Sequence, residues 1–177
     1  MTKLEAMREA GQLLKSERIP HYLESRFHAE KGITLLDDVN CIHLTWLLDN
    51  ALKEAQVSCT FYEKWVDIQG FPDEGGAPLS MEKPAEAEII RFLNEVNSHA
   101  KFGCAFYFDT ETHDIVCAGR LQYAVFERAP ELFLDMVTGI WAFFNDTGDE
   151  LDAVAKGRLF AEEAFQRVLD KGWGGVL

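Results

Sequence analysis

No apolar run in this sequence is long enough to cross a bilayer. The most apolar stretch, Leu132 to Phe144, is interrupted by Asp135 and falls short of the ~20 residues that a membrane helix needs. The opening residues, MTKLEAMREAGQLLK, lack the apolar segment of a secretory signal. Basic residues are scarce: 17 Lys and Arg stand against 30 Asp and Glu, a formal net charge of −13. A field of that sign repels phosphate backbones and anionic lipid, and no basic stripe overrides it locally. Neither nucleic acid nor a membrane is therefore an expected partner. The same field favours solubility and suits a basic protein partner. These absences predict a cytoplasmic protein.

Cysteine is sparse as well. Cys41, Cys59, Cys104 and Cys117 form no CxxC pair, and the cytosol would keep them reduced. Their expected role is that of small buried hydrophobes. Three of the five prolines fall between Pro72 and Pro84, in PDEGGAPLSMEKP, which reads as a loop. That stretch is not a phosphate loop, because Glu74-Gly-Gly-Ala-Pro-Leu79 lacks the Gly-Lys-Ser/Thr ending. No internal repeat or interdomain linker is visible. The 177 residues read as a single α+β domain over 1–171 with a flexible tail over 172–177. A chain this long buries a sufficient core without a disulfide or a metal.

Periodicity supplies the elements. Leu4, Met7, Gly11 and Leu14 share a helical face over residues 2–17, with Thr2 as N-cap and Glu5 as its capping-box partner. Pro20 ends that pattern, and residues 21–31 are ambiguous between a last helical turn and a loop. Ile33 to Leu36 is a short apolar strand, and Asp37, Asp38 and Asn40 form a turn. Cys41 to Leu48, apolar on both faces, reads either as a buried strand or as a helix continuing toward Ala51. Val57 to Phe61 and Trp65 to Phe71 read as strands. A helix from about Ala85 to Ser98 buries Ile89, Ile90, Leu93 and Val96, with Pro84 in its first turn.

The clearest element is a hairpin. Phe102 to Phe108 and Ile115 to Phe126 alternate with period two around the polar turn Asp109 to Asp114. With Asp109 opposite Asp114, Phe106 faces Cys117 and Cys104 faces Gly119. Phe102, Cys104, Phe106, Phe108, Ile115, Cys117 and Leu121 then share one apolar face, which favours inert thiols. Cys104 and Cys117 become diagonal neighbours about 7 Å apart, too far for a relaxed disulfide. Pro130 opens an amphipathic helix with Leu132, Phe133, Met136, Val137, Ile140, Trp141 and Phe144 on one stripe, the natural cover for that face. Gly148 is expected to stop it. A last helical segment runs from Asp149 to Leu169, weakened at Gly157. Segregated strands and helices predict an antiparallel sheet of about five strands with packed helices.

From Phe92 onward the chain resembles the YbjN-like family of bacterial proteins. The resemblance rests on Leu93-Asn94-Glu-Val-Asn97, on Phe102-Gly103-Cys-Ala-Phe106, on the acidic turn at Asp109 and on the strand returning from Ile115. The long apolar helix, Leu151-Asp-Ala-Val154-Ala-Lys-Gly157 and Glu162-Glu163-Ala164 complete it. It implies a fold similar to type III secretion chaperones, α-β-β-β-α-β-β-α and often dimeric. The family is labelled a sensory transduction regulator, which names no mechanism.

Residues for chemistry are dispersed. His21, His28, His43 and His99 enter no HExxH or other ligand spacing. Asp109, Glu111, His113 and Asp114 read as a solvated turn rather than a metal site. Asn94 and Asn97 are expected to bond the helix end and the next turn. No catalytic group, metal or cofactor is expected. The opposite hairpin face carries Tyr107, Arg120 and Gln122 among Gly103, Ala105 and Ala118, a mixed surface suited to a partner helix or second subunit. The expected function is thus a non-enzymatic module that binds another polypeptide, chaperone-like or regulatory, as a homodimer. A small-ligand sensor with an apolar pocket between sheet and helix is the alternative. An enzyme assembled from His43, Cys59 and Asp67 ranks below both.

Overall fold

Alternation of buried and more open residues, clearest over 54–61 and 65–72, marks a sheet with one side packed and the other, the wet side, largely open. The computed structural model describes residues 1–19, 22–23, 41–73, 79, 85–99 and 103–172. The order is α1 (Lys3–Ser16), β1 (Tyr22–Leu23), β2 (Cys41–Leu47), β3 (Glu54–Phe61), β4 (Trp65–Asp73), α2 (Glu86–His99), β5 (Ala105–Asp109), β6 (Asp114–Gln122), α3 (Tyr123–Phe126), α4 (Glu131–Ala155) and α5 (Ala161–Asp170). The sheet runs β1-β2-β3-β4-β6-β5, and all its pairs are antiparallel. It is the predicted α+β class: five long strands with helices packed on them, to which the two-residue β1 is added. The expected strand at 33–36, the turn at 37–40, Phe102 and the tail beyond 172 lie outside the described residues.

Several local readings hold. Thr2 caps α1 and forms the full capping box with Glu5, whose carboxylate accepts from Thr2 N at 2.7 Å. Cys41–Leu47 is a strand, which settles its ambiguity. The hairpin register is as expected, Phe106 opposite Cys117 and Asp109 opposite Asp114. Gly157, at φ +64°, separates α4 from α5.

Other readings are corrected. Gly148 does not stop α4; it lies inside that helix, where its missing Cβ makes room for Asn50. The loop does not begin at Pro72, because β4 continues through Asp73. Beyond Gly70, β4 pairs only with β3, and a proline is tolerated in a strand bonded on one side. In α1 the buried face is Ala6, Met7, Ala10 and Leu14, and Leu4 is exposed. In α2 Phe92 is buried and Ile90 is exposed. Leu132 and Trp141 likewise lie at the exposed edges of α4, while Phe143 joins its buried stripe.

The core lies between the inner sheet face and the helices. Phe106 meets Phe143 with ring centroids 3.8 Å apart and Phe144 edge-on at 6.1 Å. Burying each such ring contributes about 1.5–3 kcal/mol. α4 sits close because Gly70 and Gly119 on adjacent strands receive Ile140 and Met136. Asn97, on α2, closes the free edge of β5: its amide donates to Phe106 O at 2.6 Å and accepts from Phe106 N at 2.7 Å. Asn97 therefore bonds the backbone of the next strand rather than the helix end or the next turn. An edge strand presents unpaired backbone groups that template aggregation, and this side chain occupies one such pair.

Candidate partner-binding face

Because side chains alternate along a strand, the register assigns every residue of the wet face to a cross-strand row. One row is Cys41, Thr60, Asp67 and Arg120. A second holds His43, Ser58, Gln69, Ala118 and Ala105. Further along, Tyr107 stands opposite Val116. At that end of the sheet Glu54 faces Asp73 and Asp109 faces Asp114.

Tyr107, Arg120 and Gln122 share this face, as the alternation requires, and all three are exposed. They do not form one patch. Arg120 and Gln122 are next-but-one neighbours on β6, whereas Tyr107 sits opposite Val116, four residues or about 13 Å along the strand from Arg120. The Tyr107 phenol is pushed up by partial burial, then by the Asp109 charge.

Arg120 is engaged within the chain. Its guanidinium donates to both Asp67 oxygens, at 2.6 and 3.1 Å, and lies 4.7 Å from the Trp65 ring centroid. The hydrogen bond to Asp67 raises its pKa further. Tyr62 stacks on Trp65 at 5.4 Å. These three partners were missed in the sequence; Trp65 and Asp67 alternate on one strand, but only the non-local β4–β6 pairing brings them to Arg120. Gln122 borders a cleft of ≈ 300 Å³ with Glu63, Lys64, Tyr123 and Glu127.

The acidic end of the face was also missed. Glu54 on β3 faces Asp73 on β4, whose side chain is buried, and Asp114 on β6 faces Asp109 on β5. Gln56 donates to Asp73 at 2.7 Å, and Asp109 accepts from the turn amides of Glu111 and Thr112 at 2.8 and 3.3 Å. Asp73 and Asp114 line a cleft of ≈ 270 Å³ with Gln56, Phe71 and Leu79. The turn at 109–114 is the expected solvated one, with His113 at φ +59° reaching Glu86 at 3.2 Å.

The dispersed residues do not converge. His43 contacts Ser58 Oγ at 3.1 Å on the wet face, and Asp67 is held by Arg120. Cys59 lies on the inner face, fully buried, where desolvation pushes its thiol well up. The constellation of His43, Cys59 and Asp67 is thus split across the sheet. Between the sheet and α4, where the alternative reading placed an apolar ligand pocket, lie Phe106, Ile140, Phe143 and Phe144. Among the described residues no group of three or more His, Cys, Asp or Glu is placed to hold a metal, and no helix is long and apolar enough to cross a membrane.

These features define a class: an α+β protein whose helices cover one side of an antiparallel sheet and whose other side carries a mixed aromatic and acidic surface. No family model, curated protein or solved structure matches the chain.

Proposed function

We propose that the chain is a non-enzymatic protein-binding module that receives a basic polypeptide on its wet sheet face. The observation that carries this reading is the facing pair of carboxylates Asp109 and Asp114, with Glu54 at the same end of the sheet, beside the exposed ring of Tyr107. Carboxylates directly opposite one another on adjacent strands destabilise a sheet, and a partner's cation beside the Asp109–Asp114 pair would relieve that repulsion. An exposed tyrosine adjoining such a pair supplies apolar contact area at low entropic cost. The net charge of −13 steers a basic partner from a distance. The resemblance of the segment from Phe92 onward to the YbjN-like family, and through it to secretion chaperones, supports a chaperone-like or regulatory role and a homodimer.

Affinity capture of the tagged full chain from its own organism's lysate tests this, with Tyr107→Ala and Asp114→Lys proteins checked for folding by circular dichroism. A stoichiometric basic partner that elutes with salt and is lost in both variants is the expected result. Capture that ignores both substitutions, or no capture at any salt concentration, overturns the reading. Sedimentation velocity of the wild type decides the homodimer separately. Arg120→Glu is a poor probe, because it would place a carboxylate against Asp67.

A further inference from the structure

β4 and β6 stop pairing before either strand ends. Their ladder closes at Gly70 opposite Cys117, yet β4 runs on to Asp73 and β6 begins at Asp114. Each keeps its other neighbour there: Asp73 pairs with Glu54 on β3, and Asp114 with Asp109 on β5. Had the ladder continued in register, Pro72, which has no N–H to give, would stand opposite Ile115. Asp73 would stand opposite Asp114, an unfavourable pair of like charges. At these two strand ends lies the cleft of ≈ 270 Å³. Phe71, Leu79 and Ile115 give it apolar walls, and Asp73 and Asp114 give it carboxylates. Gln56 holds the Asp73 carboxylate from the β3 side through its 2.7 Å hydrogen bond.

We propose that this cleft seats one long cationic side chain, lysine or arginine, of the basic polypeptide, an inference that rests on the reading of the wet face as its docking surface. The chemistry of the lining selects that occupant. An anion is repelled by both carboxylates. A hard metal ion takes about six or more oxygen ligands and gains nothing from apolar walls. A neutral apolar molecule would strip water from the carboxylates and return nothing for it. Lysine and arginine meet both halves of the cleft, because their stems lie along apolar surface while the charged head stays with polar groups. The stem runs along Phe71, Leu79 and Ile115, and the ammonium or guanidinium reaches Asp114 in the field of Asp73 and Asp109. The charge that relieves the Asp109–Asp114 repulsion is thus held by an apolar stem as well as by attraction.

The test titrates the isotope-labelled full chain with Nα-acetyl-lysine amide and, in parallel, with Nα-acetyl-norleucine amide, which has a similar stem and no charge. Saturable amide shifts at Phe71, Asp114 and Ile115 with the lysine compound, absent with the norleucine compound, are expected. Asp114→Asn should weaken that binding about tenfold, through the charged hydrogen bond it loses. Gln56→Lys places a cation of the chain's own beside Asp73 and should abolish the shifts. Gln56 is exposed, so this variant leaves the core intact and decides the matter should Asp114→Asn not fold. No saturable shift, equal shifts with both compounds, shifts spread over the acidic surface away from the cleft, or full binding by Gln56→Lys overturns the proposal. The wider reading fails separately, through capture that ignores Tyr107→Ala, and the lysine compound reports on the cleft whichever way that capture falls.

Discussion

The amide of Asn50 occupies the space that a Cβ on Gly148 would fill. Built there, that carbon would lie 2.5 Å from Asn50 Nδ2. The amide donates to the carbonyls of Phe144 and Asn145, at 2.8 and 2.9 Å, and accepts from Leu52 N at 2.9 Å. The β2–β3 connection is thereby fixed to the middle of α4. Gly148→Ala should cost about 1–3 kcal/mol through overpacking. Asn50→Ala should cost about 1–3 kcal/mol through the backbone groups it leaves unpaired. Urea denaturation of both variants and of the double variant checks this. The double variant should lose less than the sum, because the two residues share one contact.

Asn97→Ala should release both backbone groups of Phe106 at the sheet edge. The expected loss is about 1–3 kcal/mol, with faster amide exchange at Phe106 and concentration-dependent aggregation. Asn97→Asp keeps the acceptor for Phe106 N and removes the donor to Phe106 O. It should therefore fall between wild type and alanine. Hydrogen exchange and light scattering read these outcomes; equal exchange rates in all three proteins would show that the edge is protected by something else.

Tyr123 should titrate well above the usual tyrosine value. Its hydroxyl donates to Tyr62 O at 2.5 Å, and burial, followed by the Glu63 charge, pushes its pKa up to about 12. With the folded value above the unfolded one, the contribution to stability is complete below pH 10 and is lost as pH rises toward 12. Ultraviolet titration should show a late step that Tyr123→Phe removes. A titration with no late step in the wild type, or one that persists in Tyr123→Phe, would sink this assignment.

Glu5 gives the opposite dependence at the other end of the scale. Its hydrogen bonds to the backbone and then the side chain of Thr2 hold its carboxyl below the usual glutamate value. The contribution is present above that value and lost as pH falls through the depressed one. Amide exchange in the first turn of α1 should rise on acidification in the wild type, and should be fast at all pH values in Thr2→Ala. Unchanged protection at acid pH would remove the capping box from the account.

What was legible in the sequence was local. The capping box lies within four residues, and the β5–β6 register follows from a polar turn between alternating runs. The shared face of Tyr107, Arg120 and Gln122 needed only period two. What was illegible depends on partners far along the chain. Gly148 carries the mark of a helix end, and its reason for being glycine is Asn50, far earlier in the chain. Arg120 reads as a free surface charge until β4 brings Asp67 beside it from 53 positions away. The Glu54–Asp73 pair exists only once the β3–β4 register is known.

Gly70 and Gly119 have a consequence for how this sequence can change over generations. Together they form a shallow trough into which Ile140 and Met136, one helical turn apart, are seated. A methyl group at position 70 meets the rigid branch of Ile140, whereas one at position 119 meets the flexible end of Met136, Cys104 Sγ and the Gly103 carbonyl. Position 70 can therefore enlarge only after position 140 has shrunk, and the order of those two steps matters. Among descendants of this chain, 70 with 140 should vary as a pair of constant summed volume, whereas 119 should stay glycine, because the Gly103 carbonyl would meet any Cβ there at 2.8 Å.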